Sequence, residues 1–358
     1  MSLDQALAQI RPDVRAAQAY VVQPSTGFVK LDIMENPYRL PTELQLALGE
    51  RLGAVAINRY PAERTADLAA ALKVHAGLPE AFGITLGNGS DELISLLTLA
   101  VSKPGAVILS PLPSFVMYEM SARHQHLRFV GVPLQAGDFE LDEAAMLAAI
   151  AEHQPALIYL SYPNNPTGNL WDAAAIERIV AAAPGLVVMD EAYQPFASSD
   201  SLALMARHPH VLVMRTMSKF GLAGVRIGYL CGSAELVAQI EKLRPPFNVS
   251  VLNAEAALFA LEHAEVYAAQ AAELRQQRER LFSALQAMPG VTPWPSQGNM
   301  ILARVQDAAA TFVALRARGV LIKNVSAMHP LLANCVRITV GTPDENTLLL
   351  QAIQACLN

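Results

Sequence analysis

From about residue 64 onward, stretches in which apolar side chains recur every three or four positions alternate with short runs of consecutive apolar, often β-branched residues. This spacing predicts helices over 66–76 and 91–102, and strands at Ile84–Leu86, Val107–Leu109, Leu157–Leu160, Leu186–Met189, Val211–Met214 and Val225–Leu230. Unbroken apolar strands are covered on both faces, so the alternation predicts an α/β fold with a mostly parallel sheet of about seven strands. After Pro245-Pro246 the pattern changes to one long helical stretch over 252–288, followed by strand signals at Met300–Leu302 and Val336–Thr339. We read an N-terminal arm over 1–45, a large domain over 46–255 and a smaller α+β domain over 256–358. Pro37 and Pro41 block regular structure in the arm, which is expected to lie across the small domain.

The chain has 358 residues, 53% of them apolar, enough to fill two cores. A net charge of −6 with scattered basic residues argues against nucleic acid or an acidic membrane surface as partner and favours a small ligand. The three cysteines, Cys231, Cys335 and Cys356, have no CxxC spacing and read as reduced packing residues. No secretory pattern and no apolar run of membrane-spanning length is visible, so a cytoplasmic protein is expected. The pairs His124 with His126 and His208 with His210 lack Cys, Asp or Glu at ligand spacing, and no metal is assigned.

In a doubly wound sheet, ligands sit beyond the carboxyl ends of the strands, which directs attention to four junctions. Gly87-Asn88-Gly89-Ser90-Asp91 opens a helix whose free N–H groups can seat a phosphate, although an ordinary capped turn has the same composition. Ser161 to Gly168 holds Asn165 in a loop stiffened by Pro163 and Pro166. Asp190 ends an apolar strand, where a carboxylate is costly unless a cation meets it, and Tyr193 follows three residues later; a helix cap is the alternative. Lys219 follows the strand Val211–Met214 within Arg215-Thr216-Met217-Ser218-Lys219-Phe220-Gly221, with Arg226 seven positions on. A lysine that forms a Schiff base, with hydroxyls and an arginine to hold a phosphate, suits an aldehyde cofactor with a phosphate tail.

Together these segments resemble the fold type I pyridoxal-phosphate enzymes and, more narrowly, the histidinol-phosphate aminotransferases. The resemblance spans nearly the whole chain, through Glu35-Asn36-Pro37-Tyr38, Arg59-Tyr60-Pro61, Tyr162 to Gly168, Asp190 to Tyr193, Arg215 to Gly228 and Val336 to Pro343. It implies that Lys219 holds pyridoxal 5'-phosphate and moves the proton between substrate Cα and cofactor, while Asp190 keeps the ring nitrogen protonated. It also implies that Asn165 and Tyr193 bond the ring 3-oxygen and that Phe115 covers the ring. Ser90, Asp91, Thr216, Ser218 and Arg226 would surround the phosphate, and Tyr60 would enter from the neighbouring subunit of a homodimer. Arg337 would grip the glutamate carboxylate, with Tyr20 and Lys323 contacting the substrate phosphate.

The chain departs from the family pattern at Lys323, where an arginine is common, and at Met34, where an asparagine is expected. Both bear on substrate range. The implied reaction is a ping-pong transfer of the amino group of L-glutamate to imidazole-acetol phosphate in histidine biosynthesis. A threonine-phosphate decarboxylase-like lyase and an aromatic amino-acid aminotransferase are alternatives on the same scaffold. A cofactor-sensing domain of a transcription factor is disfavoured because no basic N-terminal extension is present.

Overall fold

The computed structural model describes residues 1–19, 23–61 and 63–357. Its larger sheet has seven strands in the spatial order Phe82–Gly87, Gly228–Ser233, Val211–Thr216, Leu186–Asp190, Leu157–Ser161, Val107–Leu112, Arg128–Pro133. The last five run parallel, and Gly228–Ser233 runs antiparallel to both of its neighbours. The central strands are buried along their whole length, as their unbroken apolar runs require. One face packs Leu93, Leu97, Tyr118, Tyr159 and Leu212, and the other packs Leu68, Leu72, Ile158, Val187 and Val213.

Three details differ from the pattern-based reading. The seventh strand, Arg128–Pro133, was not located because it lies at the sheet edge, where only Val132 is buried and an arginine, a glycine and a proline dilute the apolar run. The strand expected over Val225–Leu230 begins three residues later, at Gly228. Ala223–Val225 forms a 3-10 turn, and Arg226 takes a left-handed conformation with φ 58°. The single helix expected over 252–288 is two helices, Val251–Glu262 and Ala264–Gln286, separated at His263 (φ −118°, ψ 35°). The first places Ala254, Ala257 and Leu258 in the core of the large sheet, against the helix Arg64–His75, whereas the second sends Leu274, Leu281 and Leu285 into another core. One straight helix cannot serve both.

That second core lies beneath a four-stranded antiparallel sheet ordered Lys323–Asn324, Cys335–Thr339, Met300–Arg304, Thr292–Pro293. The N-terminal segment is more regular than its prolines suggested. Leu3–Leu7 and Pro12–Ala16 form short exposed helices, and Val29–Lys30 pairs in parallel with Val320–Leu321. Leu31 and Met34 then enter the second core beside Ile301 and Ile338. This pairing brings the backbone of 32–34 to the carboxyl edge of the large sheet. Among the described residues, no helix is long and apolar enough to cross a membrane.

Candidate active site

The ends of Phe82–Gly87, Leu157–Ser161, Leu186–Asp190 and Val211–Thr216 converge on a cavity of about 640 Å³. Lys219 reaches it from a tight π-type turn over Ser218–Leu222, in which Gly221 has φ 141°, a conformation that a side chain would strain. Its Nζ donates to the Ile33 carbonyl at 2.9 Å and lies 5.9 Å from the centre of the Tyr193 ring. Burial disfavours the ammonium, and the positive charge of Arg337 adds to the effect, so the amine is pushed down to about 8. A lysine that releases its proton this close to neutrality is a competent nucleophile toward a carbonyl.

Asp190 closes its strand with both carboxylate oxygens held. Oδ2 accepts from the Tyr118 hydroxyl at 2.6 Å and Oδ1 from the Ala192 N–H at 3.1 Å. Burial nevertheless raises its pKa to about 6, because the two donors only partly replace lost water. Such an acid is stabilised by a cation brought into the cavity. Tyr118 is itself fixed by stacking on Tyr159, with centroids 4.3 Å apart and planes 3° from parallel.

The anion seat lies where the helix Ser90–Ala100 begins. Gly89 has φ 80°, and a Cβ there would stand 2.4 Å from Arg226 Nη2, so the guanidinium lies against the helix start. The Arg226 Nη1 reaches Ser218 Oγ at 3.4 Å and Nη2 lies 3.7 Å from an Asp91 carboxylate oxygen. Thr216 accepts from the Ser218 N–H and donates to the Ile227 carbonyl. Unpaired first-turn N–H groups, a guanidinium and two hydroxyls on one rim are a donor set for phosphate. Across the cavity, the Arg337 guanidinium bridges Asn165 Oδ1 at 2.7 Å and the Asp32 carbonyl at 2.8 Å. The first of these leaves the amide nitrogen of Asn165 to donate elsewhere. The loop carrying Asn165 has cis bonds before Pro163 and Pro166 and is tied down by Asn164, which bonds Ser114, Thr167 and the Pro113 carbonyl. Phe115 lines the same wall, and Lys323 lines it from the strand beside Arg337.

Ser90, Asp91, Phe115, Asn165, Asp190, Tyr193, Thr216, Ser218, Lys219, Arg226, Lys323 and Arg337 thus surround one space. Tyr60 does not line it; it is 75% exposed and stacks on Phe247 at 4.5 Å. Tyr20 lies outside the described residues. Sequence reasoning missed Tyr118, one helical turn after Phe115, and the Ile33 and Asp32 carbonyls, whose role comes from tertiary pairing. Met34, read only as a departure from pattern, sits at φ 54° with its carbonyl bonded by Asn299 and its N–H by Thr339. His208 contacts Glu177 at 2.6 Å, a carboxylate neighbour that the sequence spacing did not disclose. Among the described residues, no group of three or more His, Cys, Asp or Glu is placed to hold a metal.

Residues 26–353 match the family of class I and II aminotransferases, and the chain belongs to that family. It is 65% identical over 352 residues to a histidinol-phosphate aminotransferase of Methylibium petroleiphilum, covering 98% of this chain and 95% of that protein. It is 62% identical to the enzyme of the same name from Paracidovorax citrulli, with 99% of each chain covered. Among solved structures, a histidinol-phosphate aminotransferase from Sinorhizobium meliloti in complex with pyridoxal-5'-phosphate superposes with a TM-score of 0.83. That pair shares 25% identity and covers 98% of both chains.

Proposed function

We propose that the chain is a histidinol-phosphate transaminase that exchanges an amino group between L-glutamate and imidazole-acetol phosphate and uses pyridoxal 5'-phosphate as cofactor. The observation that carries the reading is a buried lysine, depressed toward neutrality, facing the same cavity as a buried aspartate and an arginine held over Asn165. The donor set fits the cofactor: Asp190 suits a protonated ring nitrogen, and the rim of Ser90, Asp91, Thr216, Ser218 and Arg226 suits its phosphate. When bound, the cofactor supplies an electrophilic carbon and a pyridinium ring that withdraws electrons.

Each residue then has a physical task. Lys219 Nζ, as a neutral amine, would hold the cofactor through its carbonyl carbon, the carbonyl oxygen leaving as water, and would carry the proton to and from the substrate Cα. Asp190 holds the ring-nitrogen proton in place. Asn165 and Tyr193 would donate to the ring oxygen, and Phe115 would shield the ring from water. Arg337 can grip the glutamate carboxylate as a planar fork. Histidinol phosphate has no carboxylate, so the same pocket must take a phosphate monoester in the other half-reaction. Lys323, on the strand beside Arg337, gives a second positive charge for that purpose, as a point charge without fork geometry. Tyr20 is assigned to the same phosphate.

The reading extends to the assembly. A homodimer would bring Tyr60 of each subunit to the other's cofactor phosphate, which accounts for an aromatic side chain left exposed on its own chain. We assign the arm to 1–45, the cofactor-binding domain to 46–255 and the small domain to 256–358, with a cytoplasmic site of action. The deciding experiment follows the visible absorbance of the cofactor-loaded protein after mixing with histidinol phosphate, glutamate, tyrosine or threonine phosphate in separate half-reactions. Rapid bleaching by the first two is expected. Rapid bleaching by tyrosine with none by histidinol phosphate would favour an aromatic aminotransferase, and release of CO2 from threonine phosphate would favour a lyase.

A further inference from the structure

Tyr118, whose hydroxyl bonds Asp190, does not itself line the cavity. We infer that Tyr118 is a positioning residue whose hydroxyl keeps the proton shared between Asp190 and a bound pyridine ring on the ring nitrogen. This inference rests on the cofactor assignment above.

Three observations carry it. The Tyr118 hydroxyl lies 2.6 Å from Oδ2 of Asp190, and both groups are buried, so water cannot substitute for the bond. The ring cannot swing away, because it is stacked on Tyr159 and packed edge-on by Phe115 at 5.7 Å, and Phe115 is a wall of the cavity. The second oxygen is fixed by the Ala192 N–H, so the carboxylate has one rotational setting.

The charge argument follows from that geometry. Burial favours the neutral acid, and the negative charges of Asp91 and Glu191 push the same way. Donation from Tyr118 favours the carboxylate. Without the donor, Asp190 becomes the stronger base, takes the proton from the ring nitrogen, and leaves a neutral acid facing a neutral pyridine. The ring then loses the positive charge that makes it an electron sink, while nothing in the substrate pocket around Arg337 changes.

The test is Tyr118→Phe, which keeps the stack and deletes only the hydroxyl. Pyridoxal phosphate labelled with 15N at the ring nitrogen reports the proton directly by NMR. The expected outcome is a shift of that resonance toward the unprotonated position, with a loss of about tenfold or more in kcat at nearly unchanged KM for glutamate, the factor that one hydrogen bond to a charged group carries. Tyr159→Phe is the control: its hydroxyl donates to the Ile94 carbonyl at 3.2 Å, away from the carboxylate, so it removes the same atom without touching Asp190. A wild-type 15N position in Tyr118→Phe overturns the inference, as does an equal shift in Tyr159→Phe. If instead the wild-type protein fails to take up the cofactor, the assignment beneath the inference fails first, and the two failures are told apart.

Discussion

Gly228 offers a sharp test of how tightly the anion seat is built. It pairs with Gly87 across two antiparallel strands, directly behind the start of the helix Ser90–Ala100. A Cβ at Gly228 would stand 2.7 Å from the Gly89 carbonyl carbon, 2.8 Å from the Ser90 nitrogen and 2.9 Å from the Gly89 oxygen. All three atoms are backbone, so no side chain can rotate out of the way. To restore ordinary contact at 3.4 Å, the helix start must retreat by about 0.7 Å, a displacement of the size that costs a positioned group about an order of magnitude or more. Overpacking of this kind also costs about 1–3 kcal/mol of stability. Gly228→Ala is therefore expected to fold, and to bind pyridoxal 5'-phosphate about tenfold or more weakly when apoprotein is titrated by absorbance. Pyridoxal without its phosphate should lose little, because in the proposed seat the disturbed N–H groups would meet only the phosphate. Gly49→Ala, on an exposed helix face with nothing within 4 Å, should leave both affinities unchanged. A folded Gly228→Ala protein with wild-type affinity for pyridoxal phosphate would refute the proposed seat.

Two further outcomes follow from the same geometry. Arg337→Lys cannot span Asn165 Oδ1 and the Asp32 carbonyl with one ammonium, so KM for glutamate should rise by about tenfold or more; steady-state kinetics checks this, and an unmoved KM refutes the grip. Lys219 is buried and depressed from 10.5 to about 8, so between those values the unfolded chain binds more protons than the folded one, and this group makes stability rise with pH across that window. Lys219→Met should make the apoprotein more stable than wild type at about pH 7, and the advantage should shrink as pH climbs through 8 toward 10, as read by denaturant unfolding; an advantage constant with pH refutes the buried-amine account.

Much of the cavity wall was legible because polar chemistry recurs at strand ends. An apolar run followed at once by Asp190, by Asn165 or by Lys219 carries its own reason for being a site, since a polar group there sits at the open edge of a buried sheet. The resemblance then assigned roles that alternation alone could not. Tyr118 escaped because nothing local marks it: its hydroxyl matters only through a carboxylate 72 positions away. The break at His263 escaped because both halves have helical periodicity, and only the presence of two cores demands the turn.

Composition and periodicity by themselves determined the layered α/β architecture and most of the strands, and marked Lys219 as the candidate nucleophile, because those depend on burial patterns and on residue type at the end of an element. Tertiary structure decided how Asp190 is oriented, how Arg337 is propped between Asn165 and Asp32, and where the Ile33 carbonyl meets Lys219. Those contacts join segments 72 to 305 positions apart, and side-chain reach is only a few ångströms, so no local pattern can encode them. They exist only once the N-terminal segment has paired with Val320–Leu321 and the sheets have closed around the cavity.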